Sequence, residues 1–197
     1  MNCPNCGTEL DWRIQITRMR DCPSCGSTCF LDGASLRATG KRGEMLDVPA
    51  LFAIDRITHV GGREWRPIGH IRFSYGPGWW DEYWCENEAG FFSWISADEG
   101  DIAIEESIEP PVQDQDAVRP GARFVMDGQA YTATEAQRAT CIAVRGQLPE
   151  VILVGETHDY IDFTGTKGGI VTFERWENSA AWFAGNWLDP WDASIDR

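Results

Sequence analysis

The chain has 197 residues, 43% of them hydrophobic, and its 31 acidic and 17 basic side chains give a formal net charge of −14. That length holds one large domain or two small ones beside a minor module, with the apolar content of an ordinary globular fold. The charge argues against a surface built for a phosphate backbone, which needs clustered Lys and Arg, and no apolar run approaches the ~18 residues of a membrane helix.

The first element is a pair of knuckles, Cys3-Pro4-Asn5-Cys6-Gly7 and Cys22-Pro23-Ser24-Cys25-Gly26. Fifteen residues separate Cys6 from Cys22, the interval at which two tight turns present four thiolates to one tetrahedral ion. Proline presets the first turn residue, and glycine takes the positive φ that leaves the turn. A redox pair would stand in a βαβ unit, and two disulfides would need an oxidising compartment. The spacing favours a zinc ribbon over residues 1–31, with Cys3, Cys6, Cys22 and Cys25 as ligands of a structural Zn²⁺. Between the knuckles, Trp12, Ile14 and Ile16 alternate with Arg13, Gln15 and Thr17, which predicts a strand with one wet face; Ser27 to Leu31 pairs beside it.

Residues 34–104 read as a first β-rich unit. Leu51 to Val60 meets Gly61-Gly62, a hairpin signal, and Trp65 to Tyr75 returns as a long strand. Gly76-Pro77-Gly78 breaks it; Trp79 to Glu86 and Phe91 to Ile95 follow, joined by a turn at Asn87-Glu88-Ala89-Gly90. Residues 105–120 are acidic and proline-bearing, the composition of a linker. Residues 121–190 read as a second β-rich unit. Ala122 to Met126 runs into Asp127-Gly128, another hairpin signal. Strands follow over Tyr131 to Arg145, Thr157 to Phe163, Gly169 to Trp176 and Ala181 to Leu188, with a short helix over Glu177 to Trp187 as the alternative for the last. Ile170, Thr172, Glu174 and Trp176 share one face. Trp80–Trp84 with Gly90–Ile95 echoes Val171–Trp176 with Ala181–Gly185, as in a duplication. The expected fold is mainly β: the ribbon, then two small β-barrel-like or curled-sheet repeats.

The chemistry is less legible. Residues 48–110 carry twelve acids against four bases, residues 111–197 thirteen against seven, and residues 1–47 six of each. Arg13, Arg18, Arg20, Arg37, Lys41 and Arg42 in the ribbon region read as solvated surface, so nucleic acid is not an expected partner. His59, His70 and His158 have no metal-ligand spacing. Cys85 and Cys141 lack a cationic neighbour to activate them, and together with Cys29 read as small buried hydrophobes. No phosphate loop, nucleophile elbow or metalloprotease helix is present, so no catalytic set can be named and a non-enzymatic role is expected. Ten tryptophans are the unusual resource. They fill a core, or they form an aromatic surface beside acids that suits cations. Strict alternation puts Trp80, Glu82, Trp84 and Glu86 on one face, which with Trp94 is the candidate ligand or partner surface.

With its Cys-Pro-x-Cys-Gly knuckles, Ile68–Phe73, Trp80–Trp84, Phe92–Gly100, Gly121–Phe124, Asp127–Tyr131 and Ala139-Thr140, the whole chain resembles the bacterial family named domain of unknown function 4178. The resemblance implies a cytoplasmic bacterial protein linked with phage-shock-type membrane-stress proteins and spermidine-synthase-like enzymes, and it carries over no catalytic residue. Seven cysteines, and a start at Met1-Asn2-Cys3 with no basic-then-apolar leader, agree with the cytoplasm. Two functions are expected from these readings: a zinc-ribbon adaptor for a protein partner, and a binder of cationic small molecules such as polyamines.

Overall fold

A computed structural model of the protein describes all residues except 14, 47, 49, 113–117 and 196–197. The strands are β1 (Met19–Asp21), β2 (Ser27–Asp32), β3 (Ser35–Lys41), β4 (Thr58–Val60), β5 (Arg63–Ser74), β6 (Trp79–Asn87), β7 (Phe92–Asp98), β8 (Asp101–Ile108), β9 (Arg123–Met126), β10 (Gln129–Leu148), β11 (Thr157–Thr164), β12 (Gly169–Arg175), β13 (Ala180–Leu188) and β14 (Ser194–Ile195). The mainly β expectation is met. All pairings are antiparallel, and the stretch that also read as a helix is β13.

The two β-rich units share one sheet. β5 to β8 form a meander and β10 to β13 form another; β8 pairs with β13, and β5 pairs with the far end of β10. Those two seams close the eight strands into a ring with no free edge, which disposes of the edge-strand problem. Following paired residues once round the ring starts at Gly146, passes Gly69, Trp84, Trp94, Glu105, Gly185, Ile170 and Thr164, and returns to β10 at Thr132. The path is offset by fourteen residues, part of it absorbed by bulges at Ala133/Glu135 and Cys141/Ala143. Eight strands enclose an interior of the width that side chains can fill or that can hold one small ligand.

Local chemistry explains the turns. Gly61 and Gly62 both take positive φ in the two-residue β4–β5 hairpin, as do Asp127 and Gly128 between β9 and β10. Each meander is thus preceded by a short hairpin strand. The tryptophan echo pairs β6–β7 with β12–β13, which hold different places in the two meanders, so it is not a position-by-position correspondence.

The largest apolar cluster, with Ile71, Phe73, Trp94, Cys141 and Tyr160, fills part of the ring's inner face, and two others lie outside it. Tyr83, Cys85, Ile95 and Ile102 are covered by Phe52, Val60 and Trp65. Ile161, Phe163, Val171, Phe173 and Trp182 are covered by Phe124, Met126 and their neighbours around β9. This outer packing leaves the opposite faces of the same strands pointing inward.

Two readings need correction. The strand expected over Trp12 to Thr17 is a turn: Ile16 and Thr17 N–H both bond Arg13 C=O, and Trp12 Nε1–H donates to Thr17 C=O. Ile14 lies outside the described residues. The stretch read as a linker begins inside β8, because Glu105–Ile108 pair with β13; residues 113–117 of it also lie outside the described residues. Among the described residues no helix is long and apolar enough to cross a membrane.

Candidate functional site

Both knuckles close as their sequence requires. Gly7 N–H bonds Cys3 C=O, Gly26 N–H bonds Cys22 C=O, and both glycines have positive φ. The four sulfurs of Cys3, Cys6, Cys22 and Cys25 lie within 4.8 Å of one another. Cys3 Sγ is 3.8 Å from Cys25 Sγ, and Cys6 Sγ is 3.6 Å from Cys22 Sγ. A tetrahedron whose corners stand ~2.3 Å from a central ion has edges of about 3.8 Å, so the donor set fits a metal site. Ser27, whose Oγ lies 3.4 Å from Cys25 Sγ, favours the thiolate through its side chain and backbone, Asn5 Nδ2–H adds a contact at 3.6 Å, and together they hold Cys25 down at about 6. Burial pushes Cys22 up to about 11.

The ribbon is built into the barrel wall. β1 pairs with the end of β10, Thr17 Oγ1–H donates to Gln147 Oε1, and Asp21 Oδ1 accepts from Gly146 N–H. Glu86, expected on a ligand surface, is the acceptor of this junction. Arg13 takes both its oxygens at 2.8 Å and Arg66 adds a bond at 2.6 Å, which holds its carboxyl down at about 2.

The other candidates face into the barrel. The registers place Trp80, Glu82 and Trp84 of β6 inward, next to Trp94, Ser96 and Asp98 of β7. The same ladders carry Glu105, Thr172, Glu174, Asp162, Tyr160, His158 and Glu135 to the inside. Six strands thus each contribute one carboxylate to the cavity lining: Glu82, Glu105, Asp162 and Glu174 within it, Asp98 half-buried, and Glu135 exposed at its mouth. Among the described residues, no Lys or Arg of the ring strands faces them. A cavity of about 110 Å³ opens between these groups. Trp80 Nε1–H donates to Glu82 at 2.8 Å, and Trp84 packs against Trp94 and stacks on Phe92, so those two rings wall the interior.

Without cations, the interior disfavours charge. Burial pushes Glu82 up to about 7, reinforced by Glu150 and Asp162. It pushes Glu105 up to about 8 and Asp162 up to about 6, and it raises Glu174 as well. Thr172 Oγ1 lies 2.9 Å from both Glu105 Oε1 and Asp162 Oδ1. A hydroxyl has one proton, so it can donate to only one of them; the other contact is a hydrogen bond only when that carboxyl is itself protonated. His158 is 1% exposed, and neither ring nitrogen has a hydrogen-bond partner. Burial holds it down at about 4, so the ring is neutral; it stacks on Trp176, with Nε2 3.8 Å from Glu174 Oε1.

Of the five surface candidates, then, Trp80, Glu82, Trp84 and Trp94 come together inside the barrel, and Glu86 belongs to the ribbon junction. Sequence reasoning missed Asp98, Glu105, Glu135, Asp162, Glu174 and His158. The available signal was Ile170, Thr172 and Glu174 alternating with Val171 and Phe173. That pattern reads as polar-out and apolar-in, whereas this barrel turns the apolar set outward beneath β9.

The family described as a domain of unknown function (DUF4178) matches residues 53–190, which span the barrel and leave the ribbon outside the matched stretch. No curated protein and no solved structure matches the chain significantly.

Proposed function

The chain belongs to the DUF4178 family, whose description leaves its biochemistry open, and from that premise we propose that it is a cytoplasmic binding protein for cationic amines. The observation that carries this reading is a cavity lined by six carboxylates, most of them buried, with no facing Lys or Arg among the described residues. Buried acids without partners are expensive. An amine that supplies the missing charge recovers that cost as binding free energy, and Trp80, Trp84 and Trp94 add aromatic faces that favour a cation. Polyamines are the natural ligand class for such a site.

The cysteine set is assigned a structural Zn²⁺, held by Cys3, Cys6, Cys22 and Cys25 with no open position, so it supplies folding free energy and not a reactive water. Partner docking through the ribbon has less support. The faces of Arg13, Thr17, Met19 and Asp21 are already engaged with the barrel.

Calorimetry with spermidine at low salt tests the reading. The zinc-loaded protein is expected to bind one equivalent, and Glu174→Gln to weaken it about tenfold. Heat indistinguishable from that of an equally acidic control protein removes the proposal.

A further inference from the structure

Three cavities share walls. The interior cavity of about 110 Å³, bounded by Asp98, Glu135 and Asp162, shares Glu82, Glu105 and Glu174 with a neck of about 30 Å³. The neck shares Glu150 and Ile152 with an outer cleft of about 420 Å³ that adds Glu156 and Glu177. The carboxylates follow the same order. Asp98, Glu135 and Asp162 line the interior cavity alone, Glu82, Glu105 and Glu174 line both it and the neck, and Glu150 lines the neck and the cleft.

The charges therefore form a file and not a knot. Among the described residues, the only group of three or more ligand atoms that converges within 4.8 Å is the cysteine set. No three interior carboxylates close on a point as a divalent ion would require. Between its carboxylates the neck also carries Phe73, Trp94, Ile152 and Phe183, surfaces suited to methylene. Beside it stands His158, fully buried, with both nitrogens unbonded and Nε2 directed toward Glu174. A neutral imidazole offers a lone pair that an ammonium N–H can use.

Resting on the amine-binding reading, we infer that the ligand is an extended polyamine of at least three nitrogens, threaded through the neck. One ammonium sits by Asp98, Glu135 and Asp162, one by Glu82, Glu105 and Glu174, and one by Glu150. The methylene segments between them lie against Phe73, Trp94 and Phe183.

Calorimetry on the zinc-loaded full chain separates shape from charge. The probes are n-butylamine, 1,4-diaminobutane, spermidine and hexaamminecobalt(III), the last a compact ion with the charge of spermidine. Spermidine is expected to bind one to one, about tenfold or more tighter than hexaamminecobalt(III) and than diaminobutane. Asp98→Asn and Glu150→Gln, one at each end of the file, each weaken spermidine several-fold. Equal affinity for spermidine and hexaamminecobalt(III), or no gain over diaminobutane, overturns the extended ligand while amine binding stands. Failure of every probe to bind overturns both. The substitutions remove repulsion from the empty barrel, so loss of binding by misfolding would show as a lower unfolding midpoint, which the inference excludes.

Discussion

Arg13 of the ribbon grips Glu86 of β6 through both carboxylate oxygens at 2.8 Å, across a gap of 73 residues in sequence. The pair adds a polar tie to two modules that also share a core, since Met19 of β1 and Phe30 of β2 belong to one apolar cluster with Ile71, Phe73 and Leu148. The Arg13 side chain is 37% exposed, so water screens the pair and its worth is modest, about 1 kcal/mol. Glu86 has its folded-state value lowered from 4.5 to about 2. Its stabilising contribution is therefore fully present above about pH 4.5 and disappears as the pH falls toward 2. Glu86→Gln should lower stability at pH 7 by about that amount and match the wild type near pH 2. Urea unfolding at the two pH values checks this; an equal deficit at both would show that the loss is one of packing and not of charge.

The interior acids have the opposite sign. Glu105 is raised from an ordinary 4.5 to about 8, and Glu82 to about 7, by burial first. The folded state holds their protons more tightly than the unfolded chain does, so stability is highest near pH 4.5 and falls as the pH rises toward 8. The ligand-free protein should lose unfolding midpoint steadily between pH 5 and 8, and Glu105→Gln should flatten the slope and raise the midpoint at pH 8. Saturating spermidine should flatten it too, because its ammonium groups favour the ionised carboxylates. A ligand-free midpoint that rises over this interval would mean that the interior acids ionise without cost.

Metal removal should be felt beyond the ribbon. β1 hydrogen-bonds both to β2 of the ribbon and to β10 of the barrel. Elemental analysis should give one zinc per chain, and Cys22→Ser or a strong chelator should abolish it. The unfolding midpoint of the remainder should fall by several degrees, at roughly 2–4 °C per kcal/mol for a chain of this size. A barrel midpoint unchanged after zinc loss would mean that the ribbon adds nothing to the wall it pairs with.

The knuckles were legible because Cys-Pro-x-Cys-Gly fixes ligand, turn and exit residue at once. The Gly61-Gly62 and Asp127-Gly128 hairpins were legible for a similar reason, since two consecutive positive-φ positions admit few sequences. Ring closure was not. The β8–β13 and β5–β10 seams join residues such as Glu105 and Gly185 that lie far apart in the chain, and no local pattern reports a long-range pairing. The interior was hidden for a related reason. Alternation tells which residues share a face, and only the cover formed by Phe52 on one side and Phe124 on the other decides which face is inside. Trp80, Glu82, Trp84 and Glu86 were read correctly as one stripe, yet its last member meets Arg13 because the ribbon reaches that end of β6.

Both seams that close the ring are set at glycine. Gly69 of β5 faces Gly146 of β10, and Gly185 of β13 faces Glu105 of β8. A Cβ on Gly69 would overlap Gln147 C=O, one on Gly146 would overlap Ile68 C=O, and one on Gly185 would overlap Ile104 C=O. These obstacles are backbone atoms, which cannot swing aside as a side chain would. Gly146 also has φ +70, so a substitution there adds conformational strain to the overlap. Each seam admits a methyl group only by parting its strands, and parting either one reopens the ring and exposes the carboxylate file to bulk water. Gly185→Ala and Gly146→Ala should therefore each destabilise by several kcal/mol, about 2–4, within the range of the severe single-site effects. Gly128→Ala, at a turn where nothing lies within 4 Å of the added carbon, should cost about 1 kcal/mol from its positive φ alone. Unfolding of the three variants side by side decides it: a Gly185→Ala loss no larger than that of Gly128→Ala would mean that the β8–β13 seam yields without opening.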